Sequence, residues 1–209
     1  MRKHTLAAAT IFLAVVTVIP LTLRAQNASG PDRGSTVSSL DANTADLVKI
    51  YSNLGPPHHR YDARRGRTIE EYSWAAMPFR IKADATVTRI KIAMQHISKT
   101  NGFTLYLVED ASGLPLGQVD GQWSLKHLPP MGTCCTLKVV NDRQGIRVQK
   151  GEKYWLVAGT DATNFDTTDR WAFTWNHIKS NDIAVLQGPL KWGLVHGAVS
   201  AFAVYGTRP

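Results

Sequence analysis

Cysteine is nearly absent from this 209-residue chain: it has two, the adjacent Cys134 and Cys135. That excludes a framework of disulfides stapling a small fold. It also excludes a four-cysteine zinc site, and no second ligand pair stands ready to complete a two-cysteine one. Acidic side chains are outnumbered, 16 Asp+Glu against 24 Lys+Arg. No long apolar run follows residue 25, so nothing further along has the length of a membrane-spanning helix. Enzyme signatures are missing as well: there is no Gly-x-Ser-x-Gly, no His-Glu-x-x-His and no phosphate-cradling Gly-rich loop before a helix. Glu109, Asp110 and Asp120 are the carboxylates from which a glycosidase pair would be drawn, but the separation that defines such a pair is a property of space. The expectation is a protein that is not an enzyme, with a glycan-active hydrolase as the lesser alternative.

What the chain does have begins with an export signal. Arg2 and Lys3 precede an uncharged, mostly apolar run from Thr5 to Leu23, and Leu23-Arg24-Ala25 offers a small residue before a cut that would leave Gln26 first. An uncleaved anchor is the other reading of a run this long, and Pro20 and Arg24 weigh against it. Losing Arg2, Lys3 and Arg24 would take the formal net charge from +8 to +5. An exported basic protein is expected to meet acidic polysaccharide or an anionic cell surface and not nucleic acid, if the charge serves more than solubility. The expected localisation is extracellular, periplasmic or at the cell surface. Residues 26–46 are small, polar and aperiodic, which predicts a flexible linker without a transmembrane anchor in the mature chain.

From Leu47 to Pro209 the hydrophobic period is two. Ile90, Ile92 and Met94 alternate with Arg89, Lys91 and Ala93, and Phe103, Leu105 and Leu107 alternate with Thr104, Tyr106 and Val108. Trp171, Phe173 and Trp175 alternate with Arg170, Ala172 and Thr174. Further strand-like runs are 47–52, 73–81, 119–127, 136–140, 146–149, 153–159 and 199–205, separated by turn signals such as Asn101-Gly102, Ser112-Gly113, Asn141-Asp142 and Lys150-Gly151. Many short strands at this spacing predict one all-β domain over 47–209, an antiparallel β-sandwich of jelly-roll type.

Several motifs resemble one family. These are Tyr51-Ser52-Asn53-Leu54-Gly55-Pro56, Pro78-Phe79 ahead of the Thr86–Met94 strand, and Leu105-Tyr106-Leu107 with Gly113-Leu114-Pro115-Leu116-Gly117. The more specific ones are Leu128-Pro129-Pro130-Met131-Gly132-Thr133-Cys134-Cys135 and Gly151-Glu152-Lys153-Tyr154-Trp155-Leu156-Val157. From Leu47 to Tyr205 the chain resembles exported bacterial proteins of the choice-of-anchor R type. The resemblance implies a secreted or surface-displayed sandwich domain with no established enzyme activity. The family's usual C-terminal sorting tail has no counterpart here, and the run His58–Arg67 is more basic than the resemblance leads one to expect.

Four features carry candidate chemistry. A bridge between Cys134 and Cys135 would close an eight-membered ring and no long loop, so it would shape a turn and add little chain-entropy stabilisation. It would be a rigid kink, whose flat ring packs on a neighbour or a sugar, or a redox-sensitive latch; alternatively the thiols stay reduced. Export favours the bridge. Among six tryptophans, Trp171 and Trp175 on one strand face form either a sugar platform or part of the inter-sheet core, and Trp192, near a turn, is the expected exposed ring. Tyr154 and Trp155 must point to opposite faces, so one at most lies in the inter-sheet core. Arg60, Arg64, Arg65 and Arg67 suit uronate, sulfate or phosphate, against the ordinary reading of a solvated loop. Asp161, Asp166 and Asp169 are the oxygen donors a structural calcium would use, although Asp, Asn and Thr are also ordinary turn residues and no cofactor is expected. Together these predict a non-catalytic secreted or cell-surface module binding polysaccharide or extracellular matrix by aromatic stacking and basic contacts. The alternative is a purely structural or protein-interaction domain.

Overall fold

The structure, a computed structural model, describes residues 47–160, 166–186 and 191–209. The export signal expected over 1–25, the linker expected over 26–46 and the calcium candidate Asp161 lie outside these residues.

The described residues form strands and no helix. In chain order they are β1 (Val48–Ser52), β2 (Asp62–Ile69), β3 (Ala75–Arg80), β4 (Ala85–Ile92), β5 (Met94–Lys99), β6 (Gly102–Glu109), β7 (Val119–Lys126), β8 (Lys138–Val148), β9 (Lys153–Thr160), β10 (Thr167–Phe173), β11 (Lys179–Leu186), β12 (Trp192–Ala198) and β13 (Phe202–Thr207). One layer is a six-stranded sheet, ordered β12-β11-β3-β9-β6-β7. The other is made of a four-stranded sheet, β1-β13-β4-β8, and a three-stranded sheet, β2-β10-β5. All strand pairs are antiparallel. The chain changes layer repeatedly, as expected of a jelly-roll-like sandwich.

The alternation written in the sequence becomes the division between core and surface. Phe103, Leu105 and Leu107 of β6, Ile90 and Ile92 of β4, Met77 and Phe79 of β3, and Phe202 and Val204 of β13 meet between the layers. Tyr51 stacks on Phe202 at 4.9 Å between ring centroids, and Phe202 meets Trp171 edge-on at 6.0 Å.

The two smaller sheets are joined where three segments meet. Ala93 links β4 to β5, Ala172 lies in β10 and Ala201 precedes β13; all three are fully buried. Ala93 N–H donates to Ala201 O (3.1 Å), Ala201 N–H to Ala172 O (2.8 Å) and Ala172 N–H to Ala93 O (2.9 Å), a closed ring of backbone bonds. This ring satisfies groups that no ordinary ladder reaches. Backbones converging this closely leave room only for small side chains.

Several local expectations are corrected. The basic run is not simply a loop: from Asp62 onward it is β2, paired with β10. Gly66 opposes Ala172 while Asp62 opposes Phe173, so residues 63–65 bulge out of the ladder. The expected turn at Asn141-Asp142 is a bulge within β8, where Asp142 Oδ1 accepts the N–H groups of Gln144 and Gly145. Strand β10 ends at Phe173, so Trp175 sits in the following turn and not on the strand face of Trp171.

Candidate functional site: an aromatic groove on the six-stranded sheet

The outward face of the six-stranded sheet is unusually apolar near its middle. On β9, Tyr154 faces the inter-layer core while Trp155 is fully buried on the opposite side. The strict alternation expected for this pair therefore holds, but both rings are buried. Trp155 is covered from outside by Lys153, whose Nζ lies 4.2 Å from the ring centroid, and its indole N–H donates to Asp110 Oδ1 at 2.7 Å. Ala76, Val108, Val157 and Ala184 complete this outer cluster, with Trp74, Tyr106, Leu114 and Trp192 packed on it.

Backbone register sets these rings side by side. Val157 of β9 pairs with Tyr106 of β6 on one side and Ala76 of β3 on the other, and Ala76 pairs with Ala184 of β11. Val108 and Val157 line the groove between the rings. Trp74, just before β3, spreads over Gly159, where an added Cβ would meet the indole at 2.5 Å. Trp74 and Tyr106 stack nearly parallel, with centroids 5.8 Å apart and planes 16° apart. Trp192 opens β12 opposite Leu186, whose N–H donates to Trp74 O at 3.0 Å. The result is a groove of about 310 Å³ lined by Trp74, Tyr106, Trp192 and Val157, with Leu116 and Val119 on its rim. All three rings are half-buried.

The expected site residues are thus dispersed. Trp192 lies in the groove, less exposed than its neighbourhood in sequence suggested. Trp171 is fully buried, its indole donating to Ala201 O at 3.1 Å, which removes it as a sugar platform. Trp175 is 49% exposed and packs on Gly55, away from any shared face with Trp171. Arg67 is half-buried over Phe173 and donates to Ala198 O, tying β2 to β12. Arg64 and Arg65 are exposed on the β2 bulge, their N–H groups capped by Asp62 Oδ1. Burial works to raise the Asp62 carboxyl, but the Arg64 N–H, the His177 ring at 2.6 Å and the Arg65 N–H hold it below the usual carboxylate range. Arg60 instead lines a cavity with Lys49 and Lys91 that none of the other three arginines lines. The basic run therefore does not form one patch.

Of the calcium candidates, the described Asp166 and Asp169 have different settings. Asp166 is exposed and paired with Lys99 at 3.2 Å, whereas Asp169 is fully buried in β10 with its Oδ1 2.9 Å from His96 Nδ1. Burial raises the Asp169 carboxyl to about 6 against the opposing pull of His96. Among the carboxylates of the hydrolase alternative, Asp110 is committed to Trp155, Lys153 and the Gly113 N–H, which together outweigh burial and lower it. Burial, and then the charge of Glu109, raise Asp120. No group of three or more His, Cys, Asp or Glu suited to a metal occurs among the described residues.

Cys134 and Cys135 form a vicinal disulfide across a cis peptide. Beside it, the buried Tyr61 donates its hydroxyl to Thr133 O at 2.7 Å and lies 3.0 Å from Thr136 O, and Gln95 donates to Thr133 O at 2.9 Å. Arg60 N–H donates to Cys135 Sγ at 3.4 Å. The turn is thus held from both flanks, and it in turn holds the segment that leads into β2.

Sequence reading missed Trp74 and Tyr106. The signal for Tyr106 was present: it lies out of phase with Leu105 and Leu107, hence on the outer face. Trp74 gave no such signal, because its position depends on Gly159 from another strand. No helix among the described residues is long and apolar enough to cross a membrane. Compared with known protein families, the chain matches none, and no curated protein is similar to it.

Proposed function

We propose that this chain is a non-catalytic, exported β-sandwich module that binds polysaccharide in the groove of the six-stranded sheet. The observation that carries this reading is the row of half-buried rings, Trp74, Tyr106 and Trp192, on an outward sheet face. Pyranose C–H groups pack on flat aromatic faces, and a groove lined by Trp74, Tyr106 and Trp192 offers such faces to a sugar chain. The same export and family expectations, of the choice-of-anchor R type, are consistent with a partner outside the cell.

Affinity electrophoresis in gels of neutral polysaccharides tests the reading. The native protein is expected to be retarded in at least one, and Trp192→Ala and Trp74→Ala each to lose most of that retardation without a change in fold by circular dichroism. Absence of retardation in every neutral polysaccharide would sink the proposal. A second reading, a protein-interaction domain, draws on the exposed apolar residues Leu116 before β7, Val119 of β7 and Leu194 of β12. It predicts concentration-dependent association that Leu116→Lys abolishes.

A further inference from the structure

The opposite face of the sandwich has a different character. On the outward side of the four-stranded sheet, Lys49 of β1 pairs with Tyr205 of β13, and Lys91 of β4 pairs with Ala203, two residues before Tyr205. Lys91 Nζ stands 5.2 Å from the centre of the Tyr205 ring. Arg60, from the segment before β2, completes the wall of a cavity of about 240 Å³ that also includes Ser52, Leu54, Pro57 and Leu137. No acidic residue lines it. None of Lys49, Lys91 and Arg60 has a carboxylate partner among the described residues.

Three cations brought to one small cavity repel one another, and the fold supplies no counter-charge. We propose that this cavity is a binding site for a hexuronate residue of an acidic polysaccharide. The cations suit the sugar carboxylate. The other lining groups decide between anions. Leu54, Pro57, Leu137 and the Tyr205 ring offer apolar contact to a sugar ring, and a bare phosphate would leave them unused. Ser52 Oγ accepts the Leu54 N–H at 3.2 Å, leaving its own proton for a sugar hydroxyl. The cavity is smaller than a typical drug-sized pocket of roughly 300–1,000 Å³, and is thus suited to a single sugar residue.

Arg60 is held for this task. Its N–H is bonded to Cys135 Sγ, its carbonyl accepts the Gly55 N–H at 3.0 Å, and the neighbouring Tyr61 is buried against the cysteine turn. The vicinal disulfide thereby positions a cation at the cavity wall. The site lies on the other layer from the aromatic groove and does not depend on it.

The test is affinity electrophoresis in polygalacturonate with the full chain. Lys91→Ala, Lys49→Ala and Arg60→Gln are each expected to weaken retardation roughly fivefold, the size of an exposed ion pair worth about 1 kcal/mol. Trp192→Ala should bind polygalacturonate as the native protein does, so failure of the groove proposal leaves this one standing. Charge reversal by Lys91→Glu, at a partly exposed position on the outward face, should abolish retardation while circular dichroism shows the fold unchanged. The inference is overturned by no retardation of the native protein, by retardation that all four cavity variants retain, or by equal retardation in single-stranded DNA, which would mark an unselective polyanion surface.

Discussion

At the scale of single residues, the least comfortable group in the fold is Asp169. Its side chain is fully buried, Oδ2 has no hydrogen-bond partner, and one oxygen meets His96. Burial disfavours the ionised form, which lifts the carboxyl to about 6. In the unfolded chain an aspartate titrates near 3.9. Between those values the folded state holds a proton that the unfolded state has released, so stability falls as pH rises through that window and then levels off. Asp169→Asn keeps the shape and removes the charge. Relative to native protein, the Asn variant should therefore gain stability, by on the order of 2 kcal/mol, between pH 4 and pH 7. Urea unfolding at a series of pH values checks this, and two parallel stability curves would refute it. His96 is the residue from which such a burial cost is partly recovered, and nothing in the linear order of residues 96 and 169 announces the pair.

At the scale of elements, alternation was legible and pairing was not. The inward sets of β4 and β6 follow directly from period two, and so does the outward placement of Tyr106. Four strands were not recognised: β2, β11, β12 and β5, which the sequence reading left out after Met94. β2 hides in a charged run, because its bulge carries Arg64 and Arg65 outward while Ile69 goes inward. β11 and β12 contain Asn181, Asp182, Gly193 and Gly197, residues that read as turns unless the partner strand is known. Trp175 was misplaced for a related reason, since a strand end is set by its neighbours and Phe173 is the last residue that β2 can pair. The groove depends on the same long-range information. Gly159 of β9 is meaningful only beneath Trp74, and Gly159→Ala places a methyl group into the indole. Because Trp74 sits at a strand entrance on the outer face, the ring is expected to be displaced and the inter-layer core left intact. The variant should lose neutral-polysaccharide retardation as Trp74→Ala does, yet lose no more than about 1–3 kcal/mol of stability, the usual cost of overpacking. Full retention of binding in Gly159→Ala would show that the ring's seat on β9 is irrelevant to the groove.

At the scale of the whole molecule, the two outer faces differ in chemistry, with one core between them. The six-stranded sheet presents rings and aliphatic side chains; the four-stranded sheet presents Lys49, Lys91 and Arg60 around a cavity with no acid in its lining. Composition hinted at the second property through an excess of base over acid, but composition does not say which cations share a cavity. Two of the three cavity cations, Lys49 and Lys91, come from β1 and β4, outside the arginine-rich run, and the sheet gathers them. The faces should therefore respond differently to salt. Stacking of a neutral sugar on Trp192 involves no net charge and is expected to be unchanged between low and high ionic strength. Contact of a uronate with the basic cavity is electrostatic and partly exposed, and the screening length shrinks from about 10 Å at 0.1 M salt to about 3 Å at 1 M. Retardation in polygalacturonate should thus collapse over that range while retardation in the neutral polymer persists, and Lys91→Ala should flatten the salt dependence of the first without touching the second. If both polymers lost their hold together as salt rose, the two faces would not be separate sites, and the division of labour between the layers would be wrong.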